Sequence, residues 1–364
     1  MTIKRALSVA AAAVLLLAGA YAGFLGHRSR LVVSLAPDGR FPVGRAVHEV
    51  ADRARTDELA PVGGNPRVLS ITLWYPAASN SGKPSEYAPG AWSDLHHFGP
   101  AETDFKNVDT GTYDDAPLAD GTFPIVVLMP GLGFSAPQYA NLAARIAARG
   151  YLVAGVTPTY SADLSVLGGK PVPGSAAGRP TDLAGPAGNR LLSVWAADAR
   201  FAAGRVAVLL GPHARADQVI YAGHSFGGAA ALEACRTDGS CRGAADLDGT
   251  PFGPVVTDGV GKPLLLISSG TGGAATDESA RQLFRADSKQ ARAYTLVQSR
   301  HFDFSDYAAY WLAAPVRWWL PLGDPRTVPI TVDYLDNFFA SVTIGTPWRA
   351  PDEPGVREAD MLVR

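Results

Sequence analysis

The rhythm of hydrophobic and polar positions changes three times along this chain. After Lys4 and Arg5 comes an uncharged stretch, 6–26, rich in Ala, Val and Leu. Next, segments 43–50 and 68–75 read as two strands, expected to pair antiparallel at one edge of a sheet. The polar, turn-rich stretch 76–122 holds His96, His97 and several aspartates, and reads as solvated loop. From Pro124 onward strands and helices alternate. Short apolar runs at 125–129, 151–156, 217–222, 244–247, 263–268 and 292–297 predict strands. Helices are predicted over 137–149 (ended by Gly150), over 190–210, after Ser225, around Gln282 and near 332–342. The alternation predicts an α/β fold, a mostly parallel central sheet with helices on both faces and an antiparallel N-terminal edge. With no internal repeat and no second boundary, one domain is expected over 43–345.

The opening segment, 1–30, lies outside that domain. Small residues at Ala18-Gly19-Ala20 or Ala20-Tyr21-Ala22 offer cleavage sites for a signal peptide. The stretch is also nearly long enough to stay as a membrane anchor. Arg28 and Arg30 blur the charge asymmetry that would decide. Either way the domain is expected to be exported, periplasmic or secreted, or held at the membrane. The two cysteines, Cys235 and Cys241, flank five residues, and in an exported chain they read as a disulfide. No histidine or second cysteine pair completes a metal-ligand set near them.

Composition excludes more than it selects. A net charge of −2 gives no electrostatic case for nucleic acid or a highly charged substrate. The 26 arginines against 6 lysines fit a GC-rich bacterial genome better than a basic binding surface.

Chemistry enters at Gly223-His224-Ser225-Phe226-Gly227, with a buried-strand pattern before it and a helix-forming run after it. A G-x-S-x-G in that setting is the nucleophile elbow of an α/β-hydrolase, with Ser225 as nucleophile. A serine hydroxyl needs a base. His301 follows the last predicted strand, where the chain order Ser…Asp…His brings the base. The other histidines lie before the first parallel strand, at the wrong end of the sheet, or, for His224, on the elbow with its side chain expected to point away. Two acids remain open: Asp248, at the tip of the next strand before a glycine, and Asp277, one strand later. Asp246 is expected within its strand. The oxyanion donors are read as the backbone N–H groups of Phe226 and of Leu132, in Pro130-Gly131-Leu132-Gly133-Phe134.

Five pieces in this order resemble the type II platelet-activating-factor acetylhydrolase branch of the α/β-hydrolases. They are Leu73-Trp74-Tyr75-Pro76, Pro130-Gly131-Leu132-Gly133, the elbow, Leu247-Asp248-Gly249 and His301-Phe302-Asp303-Phe304-Ser305-Asp306. The resemblance implies Asp248 as the acid, supports Leu132 and Phe226 as donors, and implies short or oxidatively truncated acyl esters, with phospholipid sn-2 acetyl esters among them. Pro130 is a departure, because the family's animal members carry a histidine there.

The expected activity is therefore serine ester hydrolysis on a small-molecule or lipid ester, with no metal and no cofactor. A general carboxylesterase, a lipase or a polyester hydrolase would carry the same residues; a peptidase or a silent binding protein on the same fold are the more distant readings. The interval 157–188, dense in Gly, Pro, Ser and Ala, is expected to form a lid or pocket wall, or else a surface insertion. The aromatic run Tyr307, Tyr310, Trp311, Trp318 and Trp319, with Leu320, is expected to pack the closing helices, with contact to a membrane surface as the other reading.

Overall fold

The computed structural model describes residues 3–95, 98–271, 277–287 and 290–361; the expected loop at His96-His97 lies outside them. The uncharged opening stretch forms helix α1 (Ile3–Arg28), long and apolar enough to cross a membrane, with none of its residues buried. A short strand β1 (Val33–Ser34) precedes the long pair β2 (Val43–Thr56) and β3 (Pro66–Pro76), which are antiparallel. The turn-rich stretch contributes β4 (Lys83–Glu86) and β5 (Val108–Asp114).

The alternating region runs β6 (Phe123–Met129), α2 (Ala140–Ala148), β7 (Leu152–Thr157), a hairpin of β8 (Leu164–Leu167) and β9 (Lys170–Pro173), then α3 (Pro186–Leu210). It continues through β10 (Ala214–His224), α4 (Phe226–Thr237), β11 (Cys241–Leu247), α5 (Val255–Asp258), β12 (Leu264–Ser269), α6 (Glu278–Ala286) and β13 (Ala291–Leu296). Two closing helices, α7 (Ala314–Trp319) and α8 (Thr327–Thr343), and strand β14 (Val356–Glu358) finish the chain.

All strands but β8 and β9, which pair with each other, form one sheet in the order β1-β5-β2-β3-β7-β6-β10-β11-β12-β13-β14, with β4 on β5. From β7 to β13 every pair is parallel. The antiparallel pair β2–β3 is not the edge that its sequence position suggests. β5 and β1 add outside it, because the turn-rich stretch returns to pair with β2. The sheet also reaches beyond 43–345 at both ends, through β1 and β14. The interval 157–188 is not structureless, since it carries the β8–β9 hairpin.

Alternate residues feed opposite layers, as the two-residue period of a strand dictates. Val126 and Leu128 of β6 pack toward α2 and α8, while Ile125, Val127 and Met129 pack toward α3 and α4. A buried ion cluster ties β3 to α3: Arg67 lies 2.6 Å from Asp198 and 3.1 Å from Asp57. The disulfide Cys235–Cys241 joins the end of α4 to the start of β11. The aromatic run divides: Tyr307 and Tyr310 are buried, whereas Trp318 and Trp319 on α7 are 86% and 91% exposed.

Candidate active site

Strand β10 passes into α4 through one residue, Ser225, whose φ is +56°. The turn needs glycine on both sides. A Cβ on Gly223 would fall 2.1 Å from the Gly227 carbonyl oxygen, and one on Gly227 would fall 2.2 Å from that of Pro130. The serine therefore stands at the N-terminus of α4, where backbone N–H groups and the helix dipole favour negative charge. Phe226 is the first residue of that helix.

One strand further along, β11 runs out into Asp248, with φ +54°. Its backbone N–H still donates to the Ile267 carbonyl of β12 at 2.7 Å. One carboxylate oxygen accepts from the Ser269 N–H at 2.7 Å, and the other from His301 Nδ1–H, also at 2.7 Å. Burial pushes the Asp248 carboxyl up, but the His301 and Ser269 hydrogen bonds outweigh it and hold the group below the usual carboxylate range. A carboxylate can only accept, so the proton of the neutral imidazole sits on Nδ1 and Nε2 is bare. That Nε2 lies 3.1 Å from Ser225 Oγ.

His301 opens a short 3₁₀ turn, His301–Phe304. Asp303, fully buried, accepts from the backbone N–H groups of Arg300, at the start of the turn, and of Gly323, and so ties the turn to the segment before α8. Asp306 does the same at a distance, accepting from the N–H groups of Ala140 and Asn141 at the start of α2.

The structure thus brings Ser225, Asp248 and His301 into one hydrogen-bonded line. It leaves Asp277 out of that line: its carboxylate caps α6, accepting from the N–H groups of Ser279 and Ala280. Asp246 is in its strand, as expected, with the carboxyl buried beneath the turn. One of its oxygens accepts from the Gly249 N–H at 2.9 Å. Gly228 and Gly249 make room for it, since a Cβ on either would meet that oxygen at 1.8 or 2.3 Å. Burial pushes the Asp246 carboxyl well above the ordinary range.

Leu132 lies in the turn after β6, closed by a Phe134 N–H to Gly131 carbonyl bond of 3.0 Å. The interval 157–188 is tied to this turn. Ala162 bridges Gly133, Asp163 N–H donates to the Gly133 carbonyl at 2.8 Å, and Ser135 Oγ donates to the Leu164 carbonyl. Phe134 stacks on Phe302 at 5.7 Å, while Phe226 packs between Trp195 and Phe252.

The side chain of His224 does not simply point away from this site. Its ring is fully buried, 4.6 Å from that of His301, and hydrogen-bonded on both nitrogens. The signal available was its place inside the elbow. Its partner Tyr139, distant in sequence, offered none.

Comparison with known proteins supports an ester hydrolase of this fold. Residues 210–313 match the family described as platelet-activating factor acetylhydrolase, isoform II. A solved structure described as a ferulic acid esterase from Streptomyces cinnamoneus superposes with a TM-score of 0.74 at 28% sequence identity, covering 90% of this chain and 99% of that one. No curated protein sequence matches the chain. The fold is that of an α/β-hydrolase, and the chain is similar to platelet-activating factor acetylhydrolase, isoform II, over the segment that holds Ser225, Asp248 and His301.

Proposed function

We propose that this protein is a serine carboxylic-ester hydrolase acting through an acyl-enzyme on short-chain or truncated acyl esters. The family match and the esterase neighbour support ester hydrolysis. One observation carries the serine mechanism: the line from Ser225 Oγ through both nitrogens of His301 to Asp248.

His301 Nε2 takes the Ser225 proton as Oγ attacks the ester carbonyl carbon. The N–H groups of Leu132 and Phe226 hold the oxyanion, and Asp248 stabilises the imidazolium. The tetrahedral intermediate collapses, the C–O bond to the alcohol breaks, and His301 returns its proton to the leaving oxygen. Water, deprotonated by His301, then attacks the acyl carbon; Ser225 leaves and regains its proton.

The β8–β9 segment serves as a pocket wall on this reading, because it is bonded to the Leu132 turn. The exposed Trp318 and Trp319 support contact with a membrane surface, where indole rings are favoured. The apolar α1 and the disulfide support an exported protein, processed at a signal or kept on an anchor. The esterase neighbour favours a second substrate reading, esters of aromatic acids.

Hydrolysis of p-nitrophenyl esters from acetate to palmitate, with methyl ferulate alongside and Ser225→Ala as control, tests the proposal. Preference for acetate and butyrate, lost in the variant, supports it and justifies phospholipid substrates. Preference for methyl ferulate moves it to the aryl esters. Activity in neither protein defeats it.

A further inference from the structure

The ring of His224 is buried between the two loops that frame Ser225, and its hydrogen bonds run in one consistent direction. The Gly131 N–H can only donate, and it does so to Tyr139 Oη at 2.9 Å. The His301 carbonyl can only accept, so the proton of His224 is on Nε2, 2.8 Å away. Burial, followed by the neighbouring His301, lowers the His224 pKa to about 3, so the ring stays neutral. The bare Nδ1 therefore accepts the phenol proton of Tyr139 at 2.8 Å. The chain of donors runs from Gly131 N–H to Tyr139 O–H to His224 Nδ1, and from His224 Nε2–H to the His301 carbonyl.

Aromatic packing holds the His224 ring in this chain. Phe304 stacks on the His224 ring at 5.8 Å and Phe134 meets its edge at 6.5 Å. A Cβ on Gly131 would stand only 3.1 Å from His224 Nδ1 and 3.3 Å from Tyr139 Oη, so glycine is what lets the turn approach.

We propose that Tyr139 and His224 are positioning residues that tie the backbone of the Leu132 turn to the backbone of His301, fixing the oxyanion donor and the base relative to each other around Ser225. Neither side chain need touch substrate. The inference rests on the ester-hydrolase reading. It has mechanistic weight because a displacement of about 1 Å in such a constellation costs on the order of 10²-fold in rate.

The test uses the full-length protein as wild type, Tyr139→Phe, His224→Gln and the double variant. Tyr139→Phe keeps shape and removes one hydroxyl. His224→Gln keeps a donor toward the His301 carbonyl but has no ring nitrogen for Tyr139. Each single variant is expected to lower kcat for p-nitrophenyl acetate on the order of tenfold, with KM nearly unmoved. Both cut the same link, so the double variant should be within about twofold of the worse single one. Losses that multiply, or singles indistinguishable from wild type, overturn the proposal. Nitrogen-15 spectra of the histidines give an independent reading. Wild-type His224 should carry its proton on Nε2, with a hydrogen-bonded bare Nδ1 whose signal shifts in Tyr139→Phe; a proton on Nδ1 in the wild type overturns the chain. Diethyl p-nitrophenyl phosphate separates the two levels. If the wild type neither hydrolyses esters nor releases one equivalent of p-nitrophenolate on phosphorylation of Ser225, the enzymatic reading falls, and the spectra still decide the hydrogen-bond chain.

Discussion

Ser225 and Asp248 stand at the ends of neighbouring parallel strands with nearly the same positive φ, +56° and +54°. Neither is glycine, and each such residue stores on the order of 1–3 kcal/mol that the surrounding structure must oppose. The sheet does so here: Ser225 N–H donates to the Leu247 carbonyl and Asp248 N–H to the Ile267 carbonyl, both at under 3 Å. The ladder continues through the strained residues and lifts both side chains off the end of the sheet toward His301.

If that strain serves chemistry, removing the side chain and removing the strain have opposite effects. Ser225→Ala should lose on the order of 10⁶ in kcat, the scale reported for loss of a serine protease nucleophile. Ser225→Gly should be equally inactive yet more stable than Ser225→Ala by about 1 kcal/mol, since glycine adopts this φ freely. Urea unfolding of the two variants is the check; equal stability argues against strain at this position.

Asp248 and Asp277 separate by function and stability. Asp248→Asn should lower kcat on the order of 10⁴, as expected when the base loses the partner that sets its tautomer. Asp277→Ala should leave kcat unchanged and cost about 1 kcal/mol of stability through the lost cap of α6. Steady-state kinetics with thermal melts on both variants decides it, and a larger kcat loss for Asp277 reverses the assignment.

Reduction of Cys235–Cys241 should lower stability without touching the chemistry. The bridge closes a loop with a sequence separation of 6, and chain entropy assigns so short a loop about 2 kcal/mol. A melt with and without reductant should show the drop, while initial rates at room temperature stay level. A parallel fall in rate would mean that the end of α4 communicates with Ser225.

Asp306 gives a pH signature. Burial pushes its carboxyl up to about 7, against the hydrogen bonds from Asn141 N–H, Tyr87 O–H and Ala140 N–H. A folded pKa above the unfolded value means the native state binds the proton more tightly. Its contribution is full below about pH 4 and is lost as pH rises toward about 7. Unfolding free energies of wild type and Asp306→Asn, compared from about pH 5 to about pH 8, should therefore shift in favour of the variant as pH rises, by up to about 1.4 kcal/mol per pH unit. A constant difference would mean the group is ionised throughout.

The legible parts of this protein were those set by local rules. The alternation of apolar runs and helical periods from Pro124 onward marks a covered parallel sheet, and the observed strands lie within a few residues of those runs. The elbow announces itself because a strand-to-helix turn this tight needs glycine at 223 and 227. Less legible was the N-terminal edge. Whether β5 pairs outside β2 depends on where a turn-rich stretch returns, and nothing in 76–122 encodes that partner. The hairpin in 157–188 was hidden for a related reason: two four-residue strands, set in a stretch dense in glycine and proline, are too short to leave a period to read.

By itself the sequence determined the fold class, the order of its elements and the identity of the groups available for chemistry, because periodicity, turn geometry and side-chain chemistry act over a few residues. Only the tertiary structure decided which acid meets His301. Asp248 and Asp277 carry the same carboxyl group, and the difference is that one stands at the end of β11 with a positive φ beside Ser269 while the other caps α6. It also decided that His224 belongs to the framework of the site. That role needs Tyr139, 85 positions away, and the His301 carbonyl, 77 positions away, to close on the two nitrogens of one ring. Contacts at such separations are set by how layers pack on a sheet, and a linear pattern holds no record of them.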